Sequence, residues 1–504
     1  MKLLYSLTLL TLVCIGLVVT VDAVYNEDEV DATLNQSIWP YLDYEENQFC
    51  FQRASRENGI YSKTFHVIMN VFKPTYTLPP GVTAYAKPHT ASAAAALIQA
   101  AYLIRVHHVQ TELTDGYANL TYWNPAFQTI QIQNVTNQVP VWLAALTDTA
   151  EEIANGITFG TQVANDMMAL QEGDNYNVVP EGGNTIGTPP APGAPVTQWY
   201  SANAANGWSW AGGVYGSQGS RLGTNPAVLS GQSFTNWASV VPEGIPPQST
   251  WNSSSPFYCP PPPAYTDPKF AASLNITYIL GGITNAYGLR NSYMQNDISI
   301  GVAAPFNEYA HLIMAQLVNN PDVKKPVVQS DGSIVYNKLT SLDKQYIYLK
   351  VDAAVAASVI WVKYWKNEYM VARPVQRIHF GDGACVVDPT WAFFANGAPD
   401  PEWPCGHCAM AKAMMVALQL ALQSLGIITA GTDQIPGGSY CVNKPITFDG
   451  VASAIHMCVS TFSEIARIIQ ARIPMHTILS GEVAQSTGGI NIPAFMSSTY
   501  SVPL

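Results

Sequence analysis

Long apolar runs interrupted by Gly, Pro and Asn, not two-residue alternation, set the pattern of this chain. Residues 91–109, ASAAAALIQAAYLIRVHHV, contain neither Gly nor Pro and are rich in alanine, the strongest helix former, so they predict a buried or half-buried helix. Residues 147–171 predict a second, with Ile153, Ile157, Val163, Met167 and Leu170 at mixed helical spacings. Residues 309–318, 346–365, 409–425 and 451–473 are apolar over helix lengths; Gly426 reads as the stop of the third run and Asp449 as the N-cap of the fourth. No fixed-period repeat recurs, and the expected fold is mainly α.

Between 173 and 268 the composition turns to Gly, Pro, Ser, Asn and Trp, as in GWSWAGGVYGSQGS and SSSPFYCPPPPAYTDP. The aromatics in this stretch predict an irregular segment wrapped on a folded body, where a flexible linker would lack them. With 504 residues, more than one hydrophobic core usually organises, the expected division is a signal segment 1–23, an N-terminal helical bundle 24–172, the wrapping segment 173–268 and a C-terminal helical bundle 269–504. Lys2, the apolar stretch 7–19 and the small-residue end Val21-Asp22-Ala23 read as a secretory signal cleaved before Val24. Sequons at Asn35, Asn119, Asn134, Asn252 and Asn275 fit an exported, N-glycosylated chain. Export would leave seven cysteines, Cys50, Cys259, Cys385, Cys405, Cys408, Cys441 and Cys458, where disulfides persist; the odd number leaves a thiol without an intramolecular partner, and the pairing is not readable. A net charge of −12, from 23 basic and 35 acidic residues, argues against nucleic acid or an anionic membrane as partner. Lys412 and the glutamines within 409–425 make that run a buried helix, not a membrane span.

Basic residues are scarce, so their grouping near the C-terminus matters. In VKYWKNEYMVARPV, Lys366 and Arg373 lie seven residues apart, close to two helical turns, and would share a face if the helix persists. Pro374 disfavours α geometry at Arg373 and places it near a helix end. Two aimed cations suit an oxyanion, although solvated surface charges show the same spacing. In EWPCGHCAMAKAMM, a helix beginning near His407 would turn unsatisfied N–H groups and its positive dipole end toward a bound anion, with Gly406 allowing close approach. His407 could then serve as acid or base. The same Cys405-Gly-His-Cys408 also reads as a dithiol redox motif, but the preceding segment is Gly/Pro-rich loop where such domains have a strand. The third segment, TFSEIARIIQARIPMHTILSGEVAQ, reads as a helix broken at Pro474 and followed at once by His476, with Arg467 and Arg472 before it.

In order along the chain, K-x6-R-P from Lys366 to Pro374, P-C-G-H from Pro404 to His407 and an Arg-containing helix ending at His476 resemble the signature of vanadium-dependent haloperoxidases and of the type 2 phosphatidic acid phosphatases that share their site. Segments such as HVIMNVFKPTYTLPPGVTAYAKPHTASAAAALIQAAY and APFNEYAHLIM are similar to successive parts of the bacterial and plant-type members, so the resemblance spans most of the chain. It implies an all-α body of two stacked four-helix bundles, the second holding an oxyanion, vanadate or phosphate. Carried over, Lys366, Arg373, Cys405, the Gly406 amide and Arg472 would bind vanadate oxygens, His476 would be the axial metal ligand and His407 the acid–base group. Hydrogen peroxide and halide would be the substrates, with a small-molecule acceptor for the oxidised halogen. Three positions depart from the pattern: Cys405 stands for serine, Gln470 for the usual arginine six residues before His476, and Ser480 for an aspartate four residues after it. An acid phosphatase using the same cage, and a secreted member with impaired turnover and a structural or binding role, therefore stand beside the peroxidase reading.

Overall fold

The computed structural model describes residues 24–35, 51–114, 125–175, 239–264, 267–292, 294, 306–369, 371, 373–374, 377–378, 387–388, 390–392, 394, 402–448, 451–465 and 478–499. Residues 1–23, Cys50, Asn119, Cys385, residues 176–238, Asp449 and residues 466–477, with Arg467, Gln470, Arg472 and His476, lie outside them.

The first half is helical: α1 Glu27–Thr33, α2 Phe51–Phe72, α3 Ala93–Thr114, α4 Pro125–Ala144 and α5 Ala150–Glu172. The alanine-rich run forms α3 as expected. Its small side chains face Gly156 and Gly160 of α5, where an added Cβ would run into the Ser92 and Ala96 carbonyl oxygens, so the two backbones almost touch. A reciprocal cap starts α5: the Thr149 hydroxyl accepts from Glu152 N–H at 3.3 Å and the Glu152 carboxylate accepts from Thr149 N–H at 2.7 Å.

The second half contains α6 Pro268–Gly281, α7 Phe306–Asn319, α8 Ser341–Tyr369, α9 Gly406–Ser424, α10 Phe462–Ile465, α11 Ile478–Ser486 and α12 Gly488–Thr499. Gly426, in the left-handed region at φ 69°, follows α9 as its stop. α8 lies at the centre, packed against α2 on one side and α9 and α12 on the other, and one continuous apolar cluster joins the halves. By length and composition α8 could cross a membrane, but its apolar stretch is buried inside the protein. Polar groups also pin it: Asp352 accepts from the Ser62 hydroxyl of α2 and pairs with His311 Nε2 of α7 at 2.7 Å. Residues 239–264 pack onto this half, where Phe257 O accepts from the indole N–H groups of Trp361 at 2.7 Å and Trp365 at 3.1 Å.

Two hairpins depart from the helical expectation. β1 Lys324–Val328 pairs with β2 Ile334–Lys338 around Ser330-Asp331-Gly332-Ser333, with Gly332 at φ 84°. β3 Tyr440–Phe448 pairs antiparallel with β4 Val451–Val459, so the N-terminal part of the run 451–473 is strand, not helix. A short apolar run does not distinguish the two, and burial decided it: Tyr440, Val442, Met457 and Val459 are buried on one face of the hairpin.

Candidate functional site

The three sequence segments converge on the loop leading into α9. Lys366, one turn from the end of α8 and 1% exposed, directs Nζ to Glu402 O at 3.5 Å. Glu402 N–H donates to Val371 O at 2.9 Å, so the chain leaving α8 toward Arg373 runs beside the chain entering α9. From α11, the Ser480 hydroxyl donates to Glu402 O at 3.2 Å, and Ser480 O lies 3.5 Å from Cys405 N. α9 begins at Gly406, where an added Cβ would sit 3.5 Å from Val362 Cγ1, one turn before Lys366 on α8. Lys366, Gly406 and the helix following His476 in sequence are therefore neighbours.

α8 ends at Tyr369, so Lys366 and Arg373 do not share a helix face; Arg373 lies beyond the helix end and is nonetheless 1% exposed. Arg377 is not among the residues the sequence singles out: it is fully buried, its guanidinium carbon stands 4.2 Å above the Phe270 ring, and its backbone N–H donates to Arg373 O at 3.2 Å. R-P-x-x-R, a four-residue spacing just past a proline, was its signal. Glu402 is the buried carboxylate of the same loop. His407 is half-buried in the first turn of α9. Arg472 and His476 lie outside the described residues.

Cys405 is tied to Cys408 in a disulfide, and its Sγ caps the helix by accepting from Cys408 N–H at 3.4 Å. Assigning Cys405 an oxyanion-binding side chain therefore needs correction, because a disulfide sulfur has no proton to donate. The dithiol reading meets a second obstacle, since both sulfur-bearing residues are fully buried and closed to a substrate thiol. Trp403 is buried, its indole N–H donating to Pro260 O at 3.0 Å. The thiol of Cys259 is free and buried, and burial pushes its pKa up.

The buried Lys366 beside the N-terminus of α9 lies in a mainly helical, α8-centred body whose fold is that of vanadium-dependent haloperoxidases. The chain superposes on the crystal structure of a bacterial vanadium-dependent iodoperoxidase with a TM-score of 0.63 at 16% identity, covering 96% of this chain and 99% of that one. It is likewise similar to an apo-type bacterial vanadium-dependent chloroperoxidase, with a TM-score of 0.56 at 13% identity over 90% and 94% of the two chains. No protein-family model matches the chain, and no curated protein matches it in sequence.

Proposed function

We propose that the chain is an exported haloperoxidase-like enzyme that oxidises halide with hydrogen peroxide at a vanadate held between α8, the 402–406 loop and the segment around His476. The observation that carries this reading is the buried Lys366 ammonium beside the N-terminus of α9, in a fold shared with two vanadium-dependent peroxidases. The donor set fits the anion: Lys366 and Arg373 are cations withdrawn from water, and the first N–H groups of α9 are preformed donors. Lys366, Arg373, the Gly406 amide and Arg472 would hold the oxygens, and His476 would supply a nitrogen ligand. Vanadate, when bound, supplies a Lewis-acid centre that activates peroxide toward halide.

The protein's own groups do the rest. Lys366 and Arg373, withdrawn from bulk water, keep charge stabilisation strong where it develops. His407, half-buried in the first turn of α9, would hold and return a proton at its imidazole. Arg377, one turn after Arg373 and buried against the Phe270 ring, is a further buried cation of the same segment. Export is supported by the exposed sequon residues Asn134, Asn252 and Asn275.

Bromide- and peroxide-dependent bromination of a phenol dye, after vanadate addition, tests the proposal. It is expected for the wild type and lost in His476→Ala; bromination that persists in that variant contradicts it. One observation favours the impaired-member reading. Cys405 Sγ is consumed by the disulfide and the Ser480 hydroxyl by Glu402 O, so neither contributes a group the family pattern places at the site. Retention of vanadate without turnover would select that reading, and vanadate-sensitive hydrolysis of a phosphomonoester without bromination would select the phosphatase.

A further inference from the structure

Away from this site, the β3–β4 hairpin brings three soft donors to one face. Cys441 and Cys458 are directly opposed across the strands and joined in a disulfide, with Cα atoms 4.0 Å apart. Asn443 and His456 form the next pair on the same face, two residues along each strand. Both cysteines are half-exposed and His456 is exposed, in contrast to the sealed Cys405–Cys408 pair. The imidazole is oriented. Nδ1 is held against the Asn443 side-chain carbonyl oxygen, an acceptor, so it carries the proton. Nε2 is thereby left as a lone pair, and it faces Cys458 Sγ at 3.5 Å. An oriented histidine whose far nitrogen is fixed by an amide oxygen is the arrangement that metal-binding histidines use.

We propose that this hairpin is a thiol-gated site for a soft divalent cation such as Zn2+, closed while the disulfide is intact and opened by a dithiol reductant. The reductant gives two electrons and two protons to the Cys441–Cys458 bond; the S–S bond breaks, two thiols form and the reductant becomes its own disulfide. Cation binding then releases the two thiol protons, and His456 Nε2 contributes its lone pair without losing a proton. Geometry supports the cation. Bond lengths of about 2.3 Å to sulfur and about 2.0 Å to nitrogen at tetrahedral angles place a sulfur and a nitrogen ligand about 3.5 Å apart. The Cys458 Sγ to His456 Nε2 distance of 3.5 Å already has that value. All three ligand atoms lie within 4.8 Å of one another, and on reduction the two bonded sulfurs must part to about 3.8 Å. Protein supplies three ligands, leaving a fourth position for water or an outside group.

Cobalt titration of the full chain tests this, before and after reduction with a phosphine, which becomes phosphine oxide as water supplies the oxygen and the two thiol protons. The reduced chain is expected to develop thiolate-to-cobalt charge-transfer absorption that Zn2+ abolishes, and the unreduced chain none. The paired variant Cys441→Ser with Cys458→Ser should lose the signal, and His456→Ala should weaken binding at least tenfold. Asn443→Ala, which keeps every ligand, should weaken it by roughly tenfold through the lost orientation. No thiolate-to-cobalt band after reduction, an equal signal without reduction, or a signal that survives the paired serine variant would each overturn the site. Unchanged affinity in both His456→Ala and Asn443→Ala would remove the histidine from it.

Discussion

Asp352 carries more of the interface between the halves than its single charge suggests. It sits fully inside α8, takes the Ser62 hydroxyl from α2 and faces His311 of α7, so its removal strands two buried partners at once. Asp352→Ala should cost about 3–5 kcal/mol in urea unfolding, the range for breaking a buried charged pair; a loss below 1 kcal/mol would mean the pair is bystander polarity. His66 makes a pH prediction. Burial, and secondarily the nearby Lys350 ammonium, lowers its pKa from 6.5 to about 3, so it folds neutral among the Tyr76 and Tyr346 rings. Below about pH 6.5 the unfolded chain binds a proton that the native one refuses, so its contribution to stability is complete above that pH and erodes as pH falls toward 3. The limiting slope is about 1.4 kcal/mol per pH unit. His66→Gln should flatten the dependence between pH 6.5 and 4.5; equal slopes in both proteins would show that His66 is protonated in the fold.

At the scale of elements, close backbone approach holds α5 against α3. Gly160 lets α5 descend onto Ala96 of α3, and Gly160→Ala would drive a methyl group into a carbonyl oxygen that belongs to a helix and cannot swing aside. The expected cost is above about 3 kcal/mol, at the upper end of overpacking penalties; thermal unfolding measures it, and an unchanged melting temperature would show that the helices stand further apart. The alanine run that makes α3 was legible in the sequence because composition alone forces a helix there. The hairpins were not. VASAIHMCV is apolar enough to be either element, and its strand identity depends on Tyr440, Val442, Met457 and Val459 finding the core together. SDGS between β-branched residues was a turn signal for β1–β2 that the surrounding helical pattern obscured. In the candidate site, Lys366, Arg373 and Gly406 could be found because chemistry-bearing residue types recur there at set spacings. Arg377 carried only the weaker R-P-x-x-R spacing, and the C-x-x-C pattern that brings Cys405 and Cys408 together does not say whether their sulfurs are joined.

For the whole molecule, α8 is the axis: α2 on one flank and α9 and α12 on the other make one core, and Trp361 and Trp365 fasten residues 239–264 to it through Phe257 O. Such an arrangement keeps Lys366 dry near the end of α8, beside the N-terminus of α9. An oxyanion cage of this kind should hold its guest whether or not the right acceptor molecule is present. The most direct test is therefore the vanadium content of the purified chain after incubation with orthovanadate and removal of excess, compared with Lys366→Met and His476→Ala. Stoichiometric metal in the wild type, sharply reduced in both variants, is the predicted result. Wild-type protein that emerges without vanadium, or variants that retain as much of it, would contradict the proposed centre.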